Sequence, residues 1–295
     1  MSTRLQANSM LMLAALFWGV GNVSQKTVLQ DIGPLLAIGL RCLIALVVIA
    51  PLLRREVRTA APTSRRDWQG IAMVSAFFAL AATFLQMAYG GTSVTNASFL
   101  VNTTVVFTPL FGWLLLGDRP GWIAWPAIAI ALAGASLMSG GWHGLGWGDA
   151  LCLVAAILYS VWMVLLGQVA RLADRPLTLA AAQFAFAGVA GVIAGLALEP
   201  VSWQALAKAV PELLFLGVLS TGAAYTLQAF AQKAASATDA AIITSGESIF
   251  GAVTAAALLG ERMTATASVG AVLILAAIIL VQLPLLVHPA SPPAG

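Results

Sequence analysis

Hydrophobic positions in this 295-residue chain come in long continuous runs separated by short polar connections. Ten runs stand out: Ser9–Leu29, Pro34–Leu53, Trp68–Tyr89, Thr95–Leu116, Trp122–Ser139, Gly148–Ala170, Pro176–Leu198, Pro211–Gln232, Thr238–Leu259 and Thr264–Val287. Each is close to the ~20 residues that a helix needs to cross ~30 Å of hydrocarbon. Continuity rather than alternation disfavours a barrel of strands. Helices are the remaining way to satisfy every backbone amide in lipid. The first run is too long for a secretory signal core and no small-x-small site follows it cleanly, so it reads as a retained span. The pattern predicts an all-α membrane protein with ten transmembrane helices.

Composition agrees. Hydrophobic residues make up 60% of the chain, charged residues only 8%, and the mean hydropathy is +0.95; a soluble domain carries about 25% charged residues. The net charge of +3 does not point to nucleic acid, because the basic residues gather in connections on one side. With the N-terminus inside, that side receives Arg4, Arg54, Arg55, Arg58, Arg65, Arg66, Arg119, Arg171, Arg175 and Lys233, whereas the other receives Lys26, Lys208 and Arg262. By the positive-inside rule both termini are cytoplasmic. The expected setting is a plasma (inner) membrane of bacterial type, with the lipid bilayer as the main partner. Cys42 and Cys152 lie singly in apolar runs and read as small packing residues. His143 and His288 fall in a loop and the tail, so no metal or other cofactor is expected in the core. Residues 288–295 are Pro/Ala-rich and expected to be disordered.

The runs repeat. Ser93–Arg119 and Ser236–Arg262 are two copies of one segment: Thr95-Asn96-Ala97 answers to Thr238-Asp239-Ala240, and Gly117-Asp118-Arg119 to Gly260-Glu261-Arg262, both 143 residues on. Leu85-Gln86 matches Leu227-Gln228, Trp18 matches Tyr159, and Pro34 and Arg41 match Pro176 and Gln183. Residues 9–140 and 147–287 thus form two five-helix units, joined by the tryptophan-bearing loop Gly140–Gly148. An odd number of spans turns the second unit upside down relative to the first. Inverted repeats around a midplane site are a transporter signature; a duplicated scaffold is the plainer alternative.

Two five-span halves, each with an Asn/Asp-Ala turn before the fourth helix and a Gly-Asp/Glu-Arg end, resemble the drug/metabolite transporter superfamily. Within it they resemble the EamA-type ten-span exporters, and most of all the exporters of aromatic amino acids. The resemblance covers about Ser9–Val287. It implies a basket of helices around a central cavity, alternating access, and a peripheral fifth span in each half. Pro109 is expected to break the fourth span, and its counterpart Ala252 is not, so the halves are expected to bend differently.

Glu247 is the one acid deep inside a run, near the middle of its expected helix. An ionised carboxylate at mid-bilayer costs about 2.5–3.5 kcal/mol on insertion scales, so it must face a cavity, accept hydrogen bonds or be protonated. It is a candidate for holding a substrate ammonium or exchanging a proton, and equally for a structural acid beside Ser245 and Ser248. Its counterpart Thr104, near Asn102, duplicates the polar patch without the charge. Arg41 either snorkels to the surface, steers a carboxylate or pairs with Glu247. Lys26, in the polar last turns of the first span, reads as an interface anchor. Gln86 and Gln228 suit a zwitterion or simply tie helices together. Trp18, Tyr159, Trp162 and Tyr225 offer faces for rings or organic cations, or pack. The candidate binding set is therefore Glu247, Gln86, Gln228, Trp18, Tyr159, Trp162, Tyr225, Asn102, Ser245 and Arg41.

An intramembrane enzyme needs a nucleophile–base pair, metal triad or acidic dyad at depth, and one carboxylate without histidine does not supply it. Nothing resembles a P-loop for ATP. A channel needs a continuous polar lining, whereas here polar residues gather near mid-depth. The expected activity is secondary export of small amphiphilic metabolites, foremost amino acids with aromatic or bulky side chains; a multidrug or organic-cation exporter is the alternative. With both halves in one chain, a functional monomer is expected.

Overall fold

The computed structural model describes residues 3–59, 64–117, 122–138 and 146–287, and among them there are helices and no strands. Asp118, Arg119, most of the Gly140–Gly148 loop and the tail lie outside the described residues. In chain order the helices are α1 (Thr3–Thr27), α2 (Pro34–Thr59), α3 (Arg65–Ala88), α4 (Val94–Val101), α5 (Thr104–Leu116), α6 (Ala124–Met138), α7 (Trp147–Ala173), α8 (Pro176–Leu198), α9 (Trp203–Phe215), α10 (Ala224–Ala231), α11 (Ala237–Thr244), α12 (Glu247–Leu259) and α13 (Ala265–Val287). Among the described residues, six helical stretches are long and apolar enough to span: Pro34–Arg58, Arg65–Ala88, Val94–Leu116, Trp147–Leu172, Pro176–Leu198 and Trp203–Ala231. Three shorter apolar helices, Trp125–Leu137, Glu247–Leu259 and Ala265–Ala277, accompany them. The chain is a multi-pass membrane protein.

Local chemistry sets the ends. α2 and α8 begin at Pro34 and Pro176, where the missing N–H costs nothing. The eighth expected span starts earlier than Pro211, because the Ser202 hydroxyl accepts from Ala205 N (3.1 Å) and caps α9 there. Pro211 is carried inside that helix, and a π-helical stretch, Leu216–Ala223, leads into α10.

Pro109 does not break the fourth span; it lies inside α5. The break falls earlier, at Asn102–Thr103, where side chains take over backbone carbonyls. Asn102 Nδ2 donates to Ser98 O (2.7 Å), Thr103 Oγ1 to Leu100 O (2.7 Å) and Thr104 Oγ1 to Val101 O (2.6 Å). The matching break between α11 and α12 is at Ser245–Gly246, with Thr244 Oγ1 donating to Ala240 O (2.8 Å). Both bent helices therefore break at positions 143 residues apart, contrary to the expected difference. Both also end on a left-handed glycine, Gly117 (φ 79°) and Gly260 (φ 65°), the conformation that a side chain resists.

α2 packs along α8 and α3 along α7, while α6 and α13 pack chiefly on each other. Gly188, Gly191 and Gly195 form the close face of α8: a Cβ on Gly191 would fall 2.8 Å from Gly39 Cα of α2. The ends of this antiparallel pair are joined reciprocally. Glu199, just after α8, accepts from Leu35 N (2.7 Å) and Leu36 N (2.9 Å) at the start of α2. Glu56, in the last turns of α2, accepts from Leu177 N (3.0 Å), Thr178 N (2.7 Å) and Thr178 Oγ1 (2.6 Å) at the start of α8. A third carboxylate, Glu261 after α12, caps α4 through Val94 N (2.9 Å), Thr95 N (2.9 Å) and Thr95 Oγ1 (2.7 Å). Negative charge at a helix start is favoured by the helix dipole as well as by the bonds themselves.

Hydrogen bonds to charged acceptors contribute about 1.5–3 kcal/mol each. Glu199→Gln turns an amide nitrogen toward one of the two donors on α2 and is expected to cost about 2 kcal/mol. The readout is a lower midpoint of thermal unfolding in detergent. An unchanged midpoint would mean that solvent or headgroups serve the start of α2 equally well.

Candidate binding site in the helix bundle

The two helix breaks meet α1, α2, α3, α7 and α10 around an internal cavity, in which water centres fit over about 50 Å³. Such a space holds a few waters. Its wall includes Trp18 and Gln25 from α1, Arg41 from α2, Leu85 from α3, Val101, Asn102 and Thr104 at the first break, and Thr244 and Glu247 at the second. Tyr159, Trp162, Met163, Ser220, Tyr225, Gln228 and Ala241 complete it. Of the residues the sequence singles out, Trp18, Arg41, Asn102, Tyr159, Trp162, Tyr225, Gln228 and Glu247 are thus brought together. Gln86 and Ser245 are not in the wall. Gln86 is turned to the α1 backbone, donating to Gln25 O (2.9 Å), and Ser245 is buried at the break between α11 and α12.

The aromatic residues form one packed group. Tyr225 lies 4.8 Å from Trp18 and 4.8 Å from Phe78, and 5.7 Å from Trp162, between ring centroids. Tyr159 meets Trp162 edge-on at 5.7 Å. The polar atoms are bonded too. Trp18 Nε1 donates to Ser220 O (2.8 Å), a carbonyl in the π-helical stretch where the ordinary ladder is interrupted. Trp162 Nε1 donates to Gln183 Oε1 (2.5 Å), and the hydroxyls of Tyr159 and Tyr225 pair at 3.0 Å.

Glu247 is not mid-helix. It is the first residue of α12 and accepts from Asn22 Nδ2 (2.8 Å). Arg41 does not snorkel: it is 2% exposed and donates from Nη1 to Gln25 Oε1 (2.7 Å). Nor does it touch Glu247; two amides stand between them, with Gln25 Nε2 donating to Asn22 Oδ1 (2.9 Å). Sequence reasoning missed Asn22 and Gln25. The signal was present, since Trp18, Asn22 and Gln25 follow helical spacing on one face of α1. Lys26 Nζ donates to Tyr89 O (2.6 Å) and Thr92 O (2.8 Å), closing the end of α3. Among the described residues, no three His, Cys, Asp or Glu side chains converge on a metal position.

A family model described as the EamA-like transporter family matches the chain twice, over residues 5–140 and 146–283. The fold and the cavity belong to a membrane transporter. The chain is a member of the EamA-like transporter family, within the drug/metabolite transporter superfamily. Two uncharacterized transporters of Archaeoglobus fulgidus are similar to it. One is 28% identical over 283 residues (95% of this chain, 87% of the relative) and the other 27% identical over 292 residues (92% and 95%). A protein of known crystal structure superposes with a TM-score of 0.71 at 16% identity, over 96% of this chain and 99% of its own, which establishes similarity of fold.

The tyrosine pair gives a direct check on the cavity wall. Tyr159→Phe and Tyr225→Phe are each expected to cost about 1 kcal/mol, and the double change clearly less than the sum. Unfolding midpoints of the four proteins in detergent measure this. Strict additivity would mean that the hydroxyls do not interact.

Proposed function

We propose that this protein is a secondary transporter that exports small amphiphilic metabolites, foremost amino acids with aromatic or bulky side chains, by alternating access. In this reading ten spans form two inverted five-helix repeats, residues 9–140 and 147–287. They lie in an inner membrane of bacterial type with both termini in the cytoplasm, and one chain is the working unit. The observation that carries it is the meeting of two broken helices at a cavity whose wall combines the Glu247 carboxylate with aromatic faces. Irregular backbone at depth is tolerated where it lines a cavity, and broken helices present their free ends to solutes in secondary transporters. Glu247 offers an acceptor to an ammonium group, while Trp18, Tyr159, Trp162 and Tyr225 suit a ring. The cavity has room for only a few waters, so a solute must widen it.

Glu247 beside Trp18 and Tyr225 also favours a second reading, an organic-cation exporter, since aromatic faces and a carboxylate attract cations. Glu247 is further proposed to exchange protons during transport.

Competition uptake in proteoliposomes, with aromatic, aliphatic and cationic solutes, tests both readings. Saturable uptake led by aromatic amino acids is expected. Glu247→Gln should reduce it at least about tenfold, the loss expected for one charge-assisted contact, and remove any dependence on a pH gradient. Single-channel currents in place of saturable uptake would reject the transporter reading; coupling unchanged in Glu247→Gln would remove proton exchange from that residue.

A further inference from the structure

Among the described residues the cavity wall includes two charged side chains, Arg41 and Glu247, and a row of side-chain hydrogen bonds joins them. From the cation end, Arg41 Nη1 donates to Gln25 Oε1 (2.7 Å), Gln25 Nε2 to Asn22 Oδ1 (2.9 Å), and Asn22 Nδ2 to Glu247 Oε1 (2.8 Å). Each amide turns its oxygen toward the guanidinium and its nitrogen toward the carboxylate. That orientation is dictated by the ends, because a guanidinium has only donors and a carboxylate only acceptors. Flipping either amide sets like against like. Bonds aligned head to tail polarise one another, so the row transmits charge better than its members would singly. The row is also held from outside: Gln86 Nε2 fixes the Gln25 carbonyl (2.9 Å), and Asn22 Nδ2 also reaches Ser98 Oγ (2.9 Å). Asn22 is wholly buried, so water does not replace it.

We propose that Asn22 and Gln25 are positioning residues that join Arg41 and Glu247 into one electrically neutral unit, and that this neutrality makes the cavity favour solutes of no net charge over cations. The inference rests on the transporter reading above and decides between its two substrate classes. A cation that takes the Glu247 oxygen from Asn22 brings an extra charge beside a pair of charges that already balance. It also leaves Arg41 at the end of a row with no anion. A zwitterion brings its own carboxylate and keeps the sum at zero. Arg41 Nε and Gln228 Oε1, buried on two residues of the wall, have no hydrogen-bond partner among the described residues; a turn of either side chain would offer a donor to that carboxylate and an acceptor to an ammonium.

The test follows uptake of labelled phenylalanine into proteoliposomes, competed by unlabelled phenylalanine, phenyltrimethylammonium or benzenesulfonate. For the unaltered protein, phenylalanine is expected to compete at least tenfold better than either ion. Arg41→Gln should shift the ratio of phenylalanine to cation at least tenfold toward the cation. Gln25→Leu keeps both charges but cuts the row, and should shift the ratio the same way by at least threefold. A merely structural role would weaken all three competitors alike. The doubly neutral Arg41→Gln, Glu247→Gln protein guards against misfolding of the single variant; it should be recovered monodisperse and, its net charge being zero again, should still be competed better by phenylalanine than by either ion. Cation and phenylalanine competing equally in the unaltered protein or in the doubly neutral one, or ratios unmoved in both Gln25→Leu and Arg41→Gln, would overturn the charge selection and leave transport standing. Absence of saturable uptake of any solute would bring down the transporter reading, and this inference with it.

Discussion

A backbone amide at the start of a helix has no partner in its own helix, and lipid offers none. This structure answers that constraint with carboxylates from elsewhere in the chain: Glu199 for α2, Glu261 for α4 and Glu56 for α8. The caps do more than fill valences. Each fixes the end of one helix to the beginning of another, so α2 and α8 are pinned at both ends as an antiparallel pair. The glycines of α8 then bring the two backbones into contact between those pins. Rigid pairs of this kind let other parts of the bundle be irregular.

The irregular parts are the two breaks. Asn102, Thr103 and Thr104 draw off carbonyls that the helix would otherwise use, and the backbone turns at mid-depth. At the second break the same turn delivers Glu247 to the first position of α12, where Asn22 donates to it. The cavity is thus a product of local side-chain to backbone bonding inside a frame held at its ends. The π-helical stretch makes a third irregularity, and its Ser220 carbonyl fixes the indole of Trp18.

Much of this was legible in the sequence. The 143-residue repeat matched the segments that hold α4 with α11 and α5 with α12, although their internal boundaries came from the structure. The unusual polarity of Glu247 and the aromatic residues pointed to the cavity. Hydropathy could not show where the fourth helix breaks, because Pro109 is a stronger local signal than three hydroxyl and amide side chains bonding backward along the chain. The polar end of α1 misled for a related reason. Asn22 and Gln25 lie near a span terminus, and only packing reveals that their partners are inside. The carboxylate caps were beyond reach, since each joins residues more than 120 positions apart.

That last distance has a consequence for biosynthesis. Helix α2 leaves the ribosome 164 residues ahead of the carboxylate that completes its first turn, and α4 precedes its own by 167. Early segments must therefore enter the bilayer with their leading amides held by water, lipid headgroups or the insertion machinery. Only when the later segments arrive do those provisional partners give way, so maturation of the first helices waits on translation of the second half.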